Sequence, residues 1–227
     1  MIPAIILVLM RRYHKNNSHQ FLILKMKLLY AAKILVLIMV AFLLVSMAKA
    51  QEKNLVYTVK RNGSRIGNVS VKEVKQGNKI NLKLQSDIKT SFIFTFSAKG
   101  IEEAGYDNGI MIYSSVYQKL NGSEKVNKQI RYVNDAYIIS NNGREEKLCH
   151  IKIGYNLLCI YNHEPLSTVL IFSDKYQKYL PIQRMEEHHY RIQFPDGSTN
   201  DYWYENGVCK KIEVDHSFYS AVMELIQ

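Results

Sequence analysis

The chain has 227 residues, with 30 Lys/Arg against 20 Asp/Glu, a formal net charge of +10 and 47% hydrophobic residues. So basic a balance would ordinarily bring nucleic acid forward as a partner, but residues 1–50 hold seven Lys/Arg and no acid, which leaves 23 bases against 20 acids, a net of +3, for the rest. With those charges interspersed, nucleic acid is excluded.

Ile2 to Met10 is apolar but short of the roughly 20 residues a bilayer span takes, and Arg11-Arg12-Tyr13-His14-Lys15 follows it. Met26-Lys27 then reads as a start with a positive n-region. Ile34 to Met47 is a 14-residue apolar run, and Ala48-Lys49-Ala50 is a small-x-small cleavage pattern. The expected organisation is an over-long leader over 1–25, a signal peptide over 26–50 and a single exported domain over 51–227. An uncleaved anchor is the rival reading, but the run ends on a cleavage pattern and not on a basic stop-transfer cluster. Gln51 follows the cleavage point where a bacterial lipoprotein would carry Cys. The mature chain is thus expected to be unlipidated, periplasmic or secreted, without a transmembrane span.

The remaining 177 residues suit one domain, with no linker, low-complexity tract or fixed-period repeat. Six dipeptides punctuate them: Asn62-Gly63, Asn108-Gly109, Asn121-Gly122, Asn142-Gly143, Asp196-Gly197 and Asn206-Gly207. Each suits a tight hairpin, because a type I′ turn needs positive φ at both central residues. Gly77-Asn78 and Asn134-Asp135 are weaker turn signals. Between the turns the pattern has period two, as where Ile80, Leu82, Leu84 and Ile88 oppose Asn81, Lys83, Gln85 and Asp87. Strands are predicted at 55–61, 65–75, 79–88, 92–102, 109–120, 125–133, 136–141, 145–153, 156–161, 188–194, 199–205, 208–216 and 221–226. Strands joined in sequence by tight turns form an antiparallel meander, and so many of them must curl into an open or closed β-barrel. Residues 164–186 break the alternation and read as a long connection. Leu166, Val169 and Leu170 have helical spacing there, predicting a short helix ahead of Pro181. Phe218 to Ile226 fits a helix or a strand, and is assigned to a strand because it is short and follows a polar turn.

Several stretches carry a resemblance: Leu158-Cys159-Ile160-Tyr161 with Glu164-Pro165, Phe172-Ser173-Asp174 leading to Leu180-Pro181-Ile182, and Tyr190 through Asp196-Gly197, Tyr202-Trp203-Tyr204 and Gly207 to His216. Together with Tyr57 to Gly67, they resemble a family of exported Bacteroidota proteins known only as a domain of unknown function. The resemblance implies a small periplasmic or surface β-protein, in shape similar to curled half-barrels such as the lipoprotein-carrier folds. It implies no catalytic residues.

The candidate chemistry is sparse. His163, Glu164, Ser173 and Asp174 could form a nucleophilic site if folded together. No Gly-x-Ser-x-Gly elbow surrounds Ser173, and the plainer reading is a chain turn at Glu164-Pro165 and a cap or kink at Ser173-Asp174. His188-His189 and Asp215-His216 beside Cys209 raise a metal, but adjacent strand residues face opposite ways and no His-x-x-x-His or Cys-x-x-Cys is present. No metal and no cofactor is expected. Cys149 and Cys159 are equidistant from Gly154, so a hairpin there would set them opposite each other for a disulfide.

Phe92, Phe94 and Phe96 share one face of a strand, while Tyr202, Trp203 and Tyr204 place aromatics on both. Such residues pack a core, or line a sheet too wide to fill itself. The function expected is non-enzymatic binding of a lipid, a glycan or an envelope protein by a curled sheet. A periplasmic hydrolase using 163–174, an outer-membrane barrel, and a structural partner without small ligand are the alternatives. Recognition is expected at His163, Glu164, Ser173 and Asp174, with Tyr202, Trp203 and Tyr204 as walls.

Overall fold

The structure, a computed structural model, describes residues 26–39, 50–91, 95–141, 144–149, 152–216 and 219–227. The chain divides into two compact units, residues 1–49 and 50–227. Residues 26–39 of the first are helical. No helix among the described residues is long and apolar enough to cross a membrane.

The second unit is a 14-stranded antiparallel sheet. Its first half is β1 (Gln51–Arg61), β2 (Ser64–Gln76), β3 (Lys79–Ser91), β4 (Thr95–Asp107), β5 (Ile110–Leu120), β6 (Ser123–Val133), β7 (Ala136–Asn141) and β8 (Arg144–Cys149). After a connection come β9 (Leu170–Ser173), β10 (Lys178–Glu186), β11 (His189–Gln193), β12 (Thr199–Glu205), β13 (Val208–His216) and β14 (Tyr219–Leu225). Each half is a meander, and β1 pairs with β14 to join them, with Val59 opposite Met223. The sheet is not closed, since β8 and β9 are left as its edges.

Four of the six dipeptides make the turn expected of them, whereas at Asp196-Gly197 only Gly197 has positive φ. Asn and Gly both have positive φ at Asn62-Gly63, Asn108-Gly109, Asn121-Gly122 and Asn206-Gly207, and Asn134-Asp135 does the same without a glycine. Asn142-Gly143 lies outside the described residues, as do Phe92 and Phe94. Alternation sets the two faces. Tyr57 and Val59, Val69 and Val71, and Leu82 and Leu84 turn inward and are buried, each such side chain contributing about 1.5–3 kcal/mol. Outward, Lys72–Glu52, Lys83–Glu103 and Lys60–Glu224 form exposed ion pairs, worth at most about 1 kcal/mol each.

The connection between the halves departs from the sequence reading. The strand predicted at 156–161 is absent. Residues 153–158 leave the sheet plane, and Cys159–Tyr161 forms a single 3-10 turn. This strap runs through the concave side. Met111 N donates to Ile153 O at 2.8 Å, and Leu157 N to Phe172 O at 3.0 Å, the latter beside a parallel bridge between Asn156 and Phe172. Ile153 and Ile160 are fully buried. The chain therefore makes no hairpin at Gly154. Cys159 is a free, buried thiol whose Sγ lies 3.4 Å from Tyr106 Oη, so the Cys149–Cys159 disulfide is not formed.

Nor is there a helix near 164–180. Buried Ile171 and Phe172 on β9 pair with Leu180 and Tyr179 on β10 in a short ladder there, and buried Ile182 continues β10 onto β11. Pro181 is tolerated because it sits on the last rung, opposite Leu170. Ile182 N donates to Val169 O, so by strand alternation the Pro181 nitrogen faces away from β9, past the end of the β10–β11 ladder.

Tyr137 ties the strap to the sheet. Its hydroxyl donates to Met111 O at 2.9 Å and accepts from Ile153 N at 3.0 Å, fully buried. Tyr137→Phe leaves a buried N–H without its acceptor, which costs about 1–3 kcal/mol. Tyr132→Phe removes only an exposed contact to Asp135 and is expected to cost a few tenths of a kcal/mol. Urea unfolding of the two variants measures the difference, and equal losses would show that the strap is not held at this point.

Candidate functional site

Beside the strap lies a cavity of about 260 Å³. β4 and β5 form one wall through Glu102 and Gln118, and β12 to β14 form the opposite wall through Asn200, Tyr202 and Tyr219. The strap's Leu157 and Tyr161 and the β9–β10 turn, with Asp174 and Tyr176, complete the lining.

Strand parity explains how polar groups reach this interior. Glu102 shares its face of β4 with buried Ala104 and Tyr106, and Gln118 shares its face of β5 with buried Ser114 and Val116. Asp174 opens the turn after β9, and Lys128 Nζ of β6 pins that turn by donating to Lys175 O at 2.7 Å. Ser173 is fully buried, with its Oγ accepting from Tyr176 N.

The acids differ in their settings. Asp174 is only 5% exposed. Its Oδ2 accepts from Asn156 Nδ2 at 2.8 Å, while Oδ1 has no hydrogen-bond partner. Burial pushes its pKa up to about 6, against the neighbouring Ser114 hydroxyl and Asn156 amide. Ser114 Oγ likewise lacks a hydrogen bond of ordinary geometry, so that neighbour acts through proximity. Glu102 accepts from Gln118 Nε2 at 3.1 Å. Burial and then the charge of Asp174 push it up to about 7, against Gln118 and Lys175. Asp196, against the cost of burial, is held at about 2 by the Ser198 hydroxyl, the Tyr176 hydroxyl, the Ser198 N–H and Lys175. The site thus combines two carboxyls that titrate near neutrality with a fixed anion, Asp196, on its exposed rim.

The residues singled out from sequence fall in four places. Ser173, Asp174 and Tyr202 line the cavity together. Tyr204 shares the inner face of β12 but is used in the core, its hydroxyl donating to Ile160 O at 2.7 Å. Trp203 occupies the outer face, stacked on His189 at 4.5 Å with Lys211 Nζ 4.7 Å from its ring centre. His163 and Glu164 serve as strap anchors. His163 Nε2 is 2.9 Å from Glu73 Oε2, and Glu164, 5% exposed at its side chain, meets His188 Nδ1 and the Tyr190 hydroxyl at 2.9 Å each. None of His163, Glu164 and Ser173 hydrogen-bonds another, so no nucleophilic triad forms among them. His188 and His189 likewise part, to Glu164 and to Asp201. Among the described residues no group of three or more His, Cys, Asp or Glu is placed to hold a metal ion.

Glu102, Gln118, Asn156 and Asp196 were not singled out from sequence. One signal was available: Glu102 falls at the core parity of a strand whose other members are Gly100, Ala104 and Tyr106, where a charge is costly unless it is used.

Comparison with known proteins adds a family. No curated protein matches the chain. A solved structure, the beta-barrel-like protein of domain of unknown function DUF1849 from Brucella abortus, superposes with a TM-score of 0.47 at 8% identity, over 77% of this chain and 95% of that one. Residues 57–226 match the family described as a domain of unknown function, DUF6134. With the match running through all fourteen strands from β1 to β14, the chain belongs to the DUF6134 family.

Proposed function

We propose that this is an exported cell-envelope protein, cleaved after Ala50, that binds a small hydrogen-bonding ligand in the cavity beside the strap without performing chemistry on it. The observation that carries the reading is a cavity whose walls present carboxylate, amide and tyrosine groups, with Glu102, Gln118, Asn200 and Tyr202 among them. About 260 Å³ is room for roughly nine waters at bulk density. A sugar ring fits such a volume and such a lining. A lipid acyl chain needs a longer, apolar one. Of the lipid, glycan and protein partners the sequence allows, the glycan is the best match. Catalysis is disfavoured because the Ser, His and Glu that would supply a nucleophile are engaged in separate contacts.

Native mass spectrometry of protein taken from its own envelope fraction tests this reading. The expected result is a chain beginning at Gln51 that carries a small hydrophilic mass. Retention of residues 1–50, or release of a lipid on extraction, would overturn it.

Asp174 and Glu102 also set the pH dependence of stability. Both folded pKa values are raised, so the folded protein holds these two protons more tightly than the unfolded chain does. The stabilisation is complete below about pH 4, the unfolded carboxyl range. It is lost as pH climbs through about 6 for Asp174 and about 7 for Glu102. Glu73 and Asp196 are shifted the other way and lose stability only below this window. Each raised acid is worth on the order of 1–3 kcal/mol, so Tm is expected to rise by several degrees between about pH 8 and pH 5.5. Glu102→Gln and Asp174→Asn, measured by thermal melts across that range, should each flatten the rise. A flat wild-type profile would mean that these carboxyls are solvated.

A further inference from the structure

We propose that Asn62 and Asn206 are sites of spontaneous modification, converting to aspartate and isoaspartate through a cyclic imide. Asn108 and Asn121, in turns of the same build, are shielded by the hydrogen bonds of their side chains.

The four turns form a matched set. Each is a two-residue Asn-Gly hairpin with positive φ at both positions. They close on the pairs Arg61 with Ser64, Asp107 with Ile110, Leu120 with Ser123 and Glu205 with Val208, and each has a register shift just before its last two pairs. All four asparagines are exposed, so access of water does not rank them. Their side chains do. Asn108 Oδ1 accepts from Asn78 Nδ2 at 2.8 Å, and Asn108 Nδ2 donates to Asp107 Oδ1 at 2.9 Å. Asn121 Oδ1 accepts from Ser97 N at 2.8 Å, while Asn121 N donates to Ser97 O at 2.7 Å. Among the described residues, nothing hydrogen-bonds the carboxamide of Asn62 or of Asn206.

The reaction needs no partner but water. The glycine nitrogen attacks Asn Cγ, so that an N–Cγ bond forms as the Cγ–Nδ2 bond breaks, and the glycine amide proton leaves with the amide nitrogen as ammonia. Water then opens the imide at either carbonyl, giving aspartate or isoaspartate. Glycine permits the attack because no Cβ crowds its nitrogen. The turn must first open locally, a fluctuation common to all four loop tips. What differs is the swing of Cγ onto that nitrogen, which is free at Asn62 and Asn206 and requires Asn108 or Asn121 to give up its tethers. Each tether slows the reaction by about two- to tenfold. The isoaspartyl link also adds a backbone carbon, which a two-residue turn accommodates only by shifting the pairing of Arg61 with Ser64 or of Glu205 with Val208.

The test ages the purified protein in mildly alkaline buffer and follows the four turns by peptide mass spectrometry, with isoaspartate resolved chromatographically. Aspartate and isoaspartate are expected to accumulate at Asn62 and Asn206 several-fold faster than at Asn108 and Asn121. Asn78→Ala removes the side-chain donor to Asn108 and keeps the backbone bond between the two turns, from Asn108 N to Asn78 O at 3.1 Å. In that variant the rate at Asn108 should rise by about two- to tenfold, with the rate at Asn121 unchanged. Equal rates at the four turns, a lead by Asn108 or Asn121, or a chain that stays unmodified would each overturn the assignment. So would an unchanged rate at Asn108 in Asn78→Ala, with folding checked by thermal melts, since the tethers would then not be what ranks the turns.

Discussion

A sheet of 14 strands curls but cannot fill its own concave side, and the strap that passes through that side is the element on which the rest depends. Residues 153–164 touch strands that are far apart in sequence. Ile153 bonds β5, Tyr137 of β7 bonds Ile153, Asn156 and Leu157 meet β9, Tyr204 of β12 bonds Ile160, and His163 reaches Glu73 of β2. Without the strap, inner faces such as those of Tyr57, Tyr106 and Tyr204 would stand around a void. With it, the Tyr106 and Tyr204 hydroxyls meet Cys159 and Ile160, and the rings pack, as in the edge-to-face pair of Tyr57 with Tyr161 at 5.6 Å. The strap also explains why the sheet stays open. It takes up hydrogen bonds on β9 at Phe172, so the first and last strands of the order need not meet.

The same filling creates the site. Large side chains fill the interior as far as Tyr161, after which polar residues take over on the same inward parity: Glu102, Gln118, Asn200 and Asp174. Nothing in the alternation requires this change. A hydrophobic residue at 102 or 118 would extend the core and strengthen it by about 1.5–3 kcal/mol each. Accepting two poorly paired carboxyls instead is a stability cost, and costs of that kind concentrate at functional sites.

The turn chemistry and strand alternation made most of the fold legible in the sequence. Asn-Gly pairs need positive φ, and that local requirement survives in any tertiary context. Even the ambiguous last segment settled as β14, paired with β1 and β13. What was not legible was the inside. Cys159 sits in an apolar run that reads as a strand, yet Cys159–Tyr161 is a 3-10 turn, because the strap packs on side chains contributed by strands from both halves. Leu166, Val169 and Leu170 looked like a helix face. They are instead exposed on the strap and at the start of β9, and only the buried pair Ile171 and Phe172 carries the packing. Of the predicted site, Ser173, Asp174 and Tyr202 converge on the cavity, while His163, Glu164, Trp203 and Tyr204 serve other contacts. Sequence distance could not separate these outcomes, because the face each residue shows depends on a curl set by the whole sheet.

The edges show how an open sheet of this kind discourages edge-to-edge pairing while keeping a cavity. β8 runs Arg144-Glu145-Glu146-Lys147 along its exposed length, a density of charge that discourages pairing with another chain. β9 carries no such protection in its own sequence, being Leu-Ile-Phe-Ser. It is guarded by the strap, which occupies the backbone groups of Phe172. The strap that guards this edge also lines the cavity beside it, through Leu157 and Tyr161. It is anchored on either side of that lining, at Tyr137 and at the Glu164 contacts with His188 and Tyr190. Opening the cavity by moving the strap would therefore expose an apolar edge and break buried hydrogen bonds at once. The rim between the β9–β10 turn and the β11–β12 loop is held more lightly, by the hydrogen bond of Tyr176 with Asp196 and the contact of the Tyr176 and Phe194 rings.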